Sequence, residues 1–470
     1  MGDVLEYLVD GVSGLAPGGV EGVCMVTGVC SLGTPGQPYL LGKSSNLETI
    51  LGVGPLCDRL RDLFAAGGQN PIVIAVPVAA STAGVIGAIT HTGAGAEVTA
   101  AGTVLAAAQV VLTIILGGTR NEATYTLSLD GGDSTGPVRT VPVDGLIAVG
   151  SAGVVITVPE EPDLAAGDVY VFDVSEPAPS ITDVMTAVEQ PLSIYDVEMV
   201  YVVGASDATD WAAMGAQADT LWNAHRPAFF LAETRLPDEG ETLDEWVTAM
   251  LAEAADASHR FVAVCAAFGE VSDRTGKRLQ RNFAGLAAGR IVSMPVMRAM
   301  GRVRDGGISQ AALPDLFTEA MQQQLESDGL ITARRYAGLD AAYWGDARTL
   351  ADDTSDYRYI ETIRTVFKAV RKARIAALKS MYDEAGEPML EAAATGLSYL
   401  KANIENALNT MRAAVPKELV DYVVTIPPGQ DIVNNGVAVE MALIGIPIIR
   451  QIKLYASYIY AGSAFDPRLQ

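Results

Sequence analysis

The side chains of this sequence best placed for chemistry are cations. Arg334, Arg335 and Arg348 lead into a helical pattern carrying Arg358, Arg364, Lys368, Arg371, Lys372 and Arg374. The whole chain has 32 Lys and Arg against 56 Asp and Glu, for a formal charge of −24. Positive charge concentrated on so acidic a protein predicts electrostatic docking of an acidic surface, not bond making. Between Arg358 and Lys379 the only acidic residue is Glu361, so pairing between successive turns cannot neutralise this face.

Covalent and nucleotide chemistry find little support. The segment Gly36–Ser44 (GQPYLLGKS) sets five residues between its glycines where a phosphate loop has four, and Pro38 has no N–H to offer a phosphate. There is no G-x-S-x-G nucleophile elbow, no H-E-x-x-H pair, and no G-x-G-x-x-G after an expected strand. An α/β enzyme would use residues at the ends of its strands, which here are Ser206, Asp207, Glu233 and Thr234, but they make no catalytic constellation. His91, His225 and His259 stand at no metal-ligand spacing. Cys24, Cys30, Cys57 and Cys265 lie mostly in apolar, strand-like surroundings and read as buried reduced thiols. No catalytic residue, metal or cofactor is therefore expected.

The elements that must position the cations follow from hydrophobic spacing. Ile360, Ile363, Phe367, Val370 and Ala377 recur at helical intervals, and Asp353, Thr354, Ser355 and Asp356 are N-cap candidates before them. A second long helix is expected over Met389–Ala413. Buried strands are expected in VEGVCMVTGVC, NPIVIAVPV, VEMVYVVG, PAFFLAET and RFVAVCAAFG, alternating with helices such as CDRLRDLFAAG and DWAAMGAQADTLWNAH, which predicts a parallel sheet covered by helices. From Ile86 the character changes to short Thr- and Val-rich strands with Gly turns, the pattern of an inserted β-sandwich or barrel. Near the end, Ile452, Leu454, Ala456, Tyr458 and Tyr460 alternate as a strand with one buried face, whose partner lies in the same chain or in a neighbouring subunit.

The expected class is α/β and multi-domain. Residues 1–20 form an N-terminal arm; 21–87 with 181–330 form a layered α/β body; 88–180 form the exposed all-β insertion. Residues 331–435 form a C-terminal α/β domain with the basic helix, and 436–470 an extended β arm. The net charge argues against general binding of nucleic acid or anionic membrane. Leu105–Leu116 is too short to span a bilayer. Asp3, Glu6 and Asp10, with Lys43 as the first cation, argue against a secretory signal.

Taken together, NLETILGVGPLCDRLRDLFAAGGQNPIVIAVPV, the insertion with YTLSLDGGDSTGP and AAGDVYVFDV, and DGLITARRYAGLDAAYWGDARTLADDTSDYRYIETIRTVFKAVRKA resemble the sheath proteins of contractile bacteriophage tails, bacteriocins and injection systems. The resemblance implies a structural subunit that polymerises helically, in hexameric rings, around a tail tube and contracts to drive the tube through a host envelope. It implies baseplate and tail terminator partners, assembly in the host cytoplasm, a place in the virion, and neither nucleic-acid binding nor membrane insertion. It also implies exchange of terminal strands, here through Ile452, Leu454, Tyr458 and Tyr460, while Arg358, Arg364, Lys368, Arg371, Lys372 and Arg374 would face the tube or a neighbouring subunit. The rival readings are an α/β enzyme with a β insertion and a surface-array component.

Overall fold

Val23–Val29 is buried along its whole length, as a central parallel strand with helices on the sheet must be. In the computed structural model, which describes residues 19–68, 71–272, 276–386, 395–459 and 461, this strand lies inside a seven-stranded sheet. The order across the sheet is Leu330–Ile331, Val262–Cys265, Phe229–Glu233, Met199–Ala205, Val23–Val29, Ile72–Val78 and Tyr39–Leu41. All neighbours are parallel except the edge strand Tyr39–Leu41, which runs antiparallel to Ile72–Val78. Strands from both sides of the insertion therefore share one sheet, and the body is a single layered unit.

Helix placement has local causes. Asp207 and Asp210 form a reciprocal capping box that starts Ala208–Asn223, and Thr242 and Glu245 do the same for Leu243–Asp256. Pro55–Ala66 lies tight against Ala284–Ser293 because the latter presents Gly285 and Gly289: a Cβ on Gly289 would sit 2.4 Å from the Leu63 carbonyl oxygen. Helix Ile181–Ile194, capped by Ser180 and holding Pro191 in its last turn, was not expected from the sequence.

The strands of the insertion fall between Thr90 and Val174, and antiparallel bridges Thr82 to Ala178 and Ile86 to Val174 close its neck. It has two sheets, of five and three strands, around a core of its own that includes Val110, Leu112, Ile114, Ile156, Tyr170 and Phe172. Strand Ala108–Leu116 alternates buried and half-buried positions, as a strand with one face on a core does.

The basic helix spans Ile360–Leu378. Its first half gives Ile360, Ile363 and Phe367 to the core of the body, and its second half gives Ala369, Ala373 and Ala376 to a separate small core with Ile404, Leu408, Met411, Leu419 and Val424. That second core gathers helix Thr395–Arg412 and the antiparallel pair Asp421–Thr425 with Glu440–Ile444. The first residues expected of that helix, 389–394, lie outside the described residues, as do residues 1–18 of the expected N-terminal arm and Tyr460 of the C-terminal one. Beyond Ile444 the described chain forms no strand. The alternation of Ile452, Leu454 and Tyr458 lies on no sheet among the described residues.

Candidate functional site

The basic helix is not a uniformly exposed cationic face. Arg364 is 1% exposed; its Nε donates to Glu198 at 2.7 Å, and a terminal nitrogen reaches the other Glu198 oxygen at 3.1 Å and the Met294 carbonyl at 3.2 Å. Arg371 is also buried and donates to Asp196 at 3.2 Å, to the Val197 carbonyl at 2.9 Å and to the Pro227 carbonyl. Lys368 is paired with Glu418 at 2.7 Å. The expectation that Arg364, Lys368 and Arg371 face an external partner is corrected on this point. Their charge is neutralised by carboxylates from other elements, brought in by the fold and not by the helix itself.

Arg358 holds the Asp353 carbonyl at 2.8 Å, with its guanidinium 5.1 Å from the Tyr359 ring. Upstream, Arg334 pairs with Glu326, Arg335 with Asp315, and Arg348 with Asp353. Lys372 is half-buried and Arg374 exposed, and neither has an ion-pair partner among the described residues. Beside them stand the exposed apolar side chains Ile375, Leu378 and Met381. The free cationic surface is thus the C-terminal end of the helix, where charge and apolar area are mixed.

A second candidate surface is the tail of the chain. Ile452, Leu454 and Tyr458 are 74%, 89% and 84% exposed, on a segment without secondary structure. The two-stranded sheet before it, Asp421–Thr425 with Glu440–Ile444, leaves both outer edges unpaired among the described residues. Unpaired edges and an extended apolar segment are the two halves of a strand-addition contact.

The strand ends of the body hold a buried ionic cluster. Arg59 donates to Glu233 at 3.0 Å and to Glu176 at 2.9 Å, Tyr201 donates to Glu233, and Arg281 faces Asp62 at 3.5 Å. Burial pushes the Asp62 carboxyl up to about 6, against the pull of Arg281 and Arg59, and raises Glu176 as well. The residues that an enzyme would use are spent on structure. Ser206 donates to the Glu233 carbonyl and accepts from the Trp211 ring N–H, Asp207 caps its helix, and Thr234 is tied to Cys265 and Asn282. Among the described residues no His, Cys, Asp and Glu group has the geometry to hold a metal ion, and no helix is long and apolar enough to cross a membrane.

Sequence reasoning missed Asp196, Glu198 and Glu418 as partners of the basic helix, and missed Arg59 and Arg450. Glu198 did carry a signal. It is a lone carboxylate in the apolar run VEMVYVVG, and a carboxylate buried there requires a cation.

Two family models together match nearly the whole chain. A family model described as the DUF2586 N-terminal domain matches residues 1–348, and one described as the DUF2586 C-terminal domain matches residues 356–463, so their boundary falls just before the basic helix. The fold is similar to that of the sheath tail protein from Desulfitobacterium hafniense, with a TM-score of 0.50 at 14% identity, covering 95% of this chain and 100% of that one. It is also similar to the helical sheath of the anti-feeding prophage in its contracted state, with a TM-score of 0.55 at 14% identity over 97% of this chain and 98% of that one. No curated protein matches the sequence.

Proposed function

The chain belongs to the DUF2586 family, and from that premise and its sheath-protein fold we propose that it is a structural subunit of a contractile tail sheath. In this reading it polymerises helically, in hexameric rings, around a tail tube, and passes from an extended to a shorter, wider lattice that drives the tube through a host envelope. The observation that carries the proposal is the likeness over nearly the whole chain to a contracted helical sheath, joined to an exposed apolar tail and open sheet edges in the isolated subunit.

Contraction needs no bound nucleotide in this scheme. A lattice trapped in one arrangement releases free energy as subunit contacts repack, provided the subunits stay tethered. The tethers are the terminal segments: Ile452, Leu454, Tyr458 and Tyr460 add as a strand to the C-terminal sheet of a neighbouring copy. The body supplies rigidity through its ionic clusters, and the helix end with Lys372 and Arg374, together with Arg358, meets the tube or an acidic neighbour. Baseplate and terminator proteins cap the two ends of the array, which is assembled in the host cytoplasm and becomes part of the virion tail. The role is structural, with no catalytic step.

Negative-stain electron microscopy of the purified chain across a salt series, with and without a co-expressed tube protein, tests the reading. Hollow helical tubes are expected, and removal of residues 451–470 is expected to abolish them. Small closed particles under every condition, tube protein included, would overturn it.

A further inference from the structure

Arg450 is an exception in its surroundings. It lies in the strandless segment after Ile444, where Ile449 and Ile452 on either side of it are 80% and 74% exposed. Its side chain nonetheless turns back to the body. Nε donates to Asp346 at 2.5 Å, a terminal nitrogen pairs with Glu361, and the guanidinium carbon stands 3.5 Å from the centre of the Tyr359 ring. We propose that Asp346, Tyr359 and Glu361 form an internal guanidinium-binding site, and that Arg450 bound there is the fixed root from which the C-terminal arm leaves the body.

The chemistry of the site selects for arginine. A planar guanidinium satisfies two carboxylates along its edge while lying over an aromatic face, which the compact ammonium of a lysine cannot do. Glu361 belongs to the first turn of the basic helix and is only 6% exposed. Glu361 and a second carboxylate, Asp346, converge on the one guanidinium, which offsets the repulsion between them. Burial already pushes Glu361 up to about 7 with Arg450 in place. Asp346 is itself positioned, since its backbone N–H donates to Glu326, which pairs with Arg334. Arg358, 5.1 Å from the same ring, is occupied with Asp353 and leaves the carboxylates to Arg450.

The anchor stands without the sheath reading, but its mechanical consequence rests on it. A neighbour pulling on residues 451 onward would act on the first turn of a helix whose Arg364 and Arg371 are sunk in the body. The pull is then delivered to the body and not taken up as slack in residues 445–449.

Trypsin provides the test, because Lys453 lies three residues beyond Arg450 in the same exposed segment and serves as an internal reference. In the unassembled full-length chain, followed by intact mass, cleavage after Lys453 is expected to be at least about tenfold faster than cleavage after Arg450, whose side chain must first leave its site. A double variant, Asp346→Asn with Glu361→Gln, should bring the two rates together. Arg450→Lys, which keeps a cleavable bond but cannot stack, should also speed cleavage at position 450, and it covers the case in which the double variant fails to fold. Equal rates in the native chain, or a disparity unchanged in the variants, would overturn the anchor. Tube formation is scored separately by microscopy, so loss of the sheath reading and loss of the anchor are distinguishable.

Discussion

Arg364, in the basic helix, is 1% exposed and bound to three oxygens, whereas Ile452 and Leu454, in the tail, are 74% and 89% exposed with no strand partner among the described residues. Both were expected to meet another molecule. The difference lies in what each needs. A cation is satisfied by carboxylates that the fold brings from anywhere in the chain, and Glu198 comes from 166 residues away. An alternating apolar strand needs a whole sheet edge, and among the described residues the tail lies on none. The body is closed by polar contacts between distant segments, while the described part of the tail stays exposed and without secondary structure.

The largest way to break this comparison is to remove one partner of the buried pair. Glu198→Ala leaves Arg364 charged and buried, and the expected loss is about 3–5 kcal/mol, read as a lower urea midpoint. If closure of the body is the only role of the pair, Arg364→Met combined with Glu198→Leu should recover most of that loss. A double variant as unstable as Glu198→Ala would show that the polar contacts of the pair, which include the Gly22 N–H and the Met294 carbonyl, and not volume, are what these positions supply. The tail should be indifferent: truncation after residue 450 should leave the midpoint in place while abolishing tubes.

Leu408→Ala sharpens the contrast within the C-terminal part. Leu408 is fully buried in the small core shared by the second half of the basic helix and helix Thr395–Arg412. A loss of about 2–5 kcal/mol is expected from the cavity. Hydrogen exchange should place it: protection should fall in 395–444 and hold in the central sheet. Equal loss in both would mean that the two cores unfold as one.

Much of the body was legible because parallel strands buried on both faces write themselves as apolar runs, as in VCMVTGV and IVIAVPV. The insertion was legible from its alternation and its Gly turns. The hairpin Phe268–Ser272 with Arg278–Asn282 was not, since its second strand, RLQRN, looks like a solvated segment. Its Arg281 and Asn282 are buried, and Arg281 is drawn in by Asp62. Helix Ile181–Ile194 was hidden by Pro191, which reads as a breaker but falls late enough in the helix to be tolerated. The site was legible in composition and not in geometry. The sequence marks the basic helix, but which of its cations stay free is decided by Asp196, Glu198 and Glu418, whose proximity no local pattern encodes.

Titration offers a smaller probe. Burial raises Glu361 to about 7 and Asp62 to about 6, above their ordinary values of 4.5 and 3.8. Between the ordinary and raised values the native chain holds protons that the unfolded chain has released, so stability falls as pH rises through this window. The expected result is a decline in urea midpoint from about pH 4 to 7, to which Glu361 contributes at most about 1.4 kcal/mol per pH unit. Glu361→Gln should flatten the upper part of the decline, from pH 6 to 7, and leave the Asp62 part below it. An unchanged slope would mean that Arg450 holds Glu361 ionised throughout.

The smallest effect on the subunit should come from the cations the fold leaves free. Lys372→Glu with Arg374→Glu changes the exposed end of the helix without touching a buried pair, and the folded subunit should shift by no more than about 0.5 kcal/mol. If this end meets an acidic surface, the double reversal should weaken tube formation most at low salt and lose its effect as screening rises, because exposed charges further apart than a Debye length of about 8 Å at physiological ionic strength no longer interact strongly. Arg364→Glu in the same assay would act through unfolding and be insensitive to salt. The two substitutions lie on one helix and differ in sequence only by position. A matching salt response from both would show that the division between closed and open cations drawn from the structure does not hold in the assembled array.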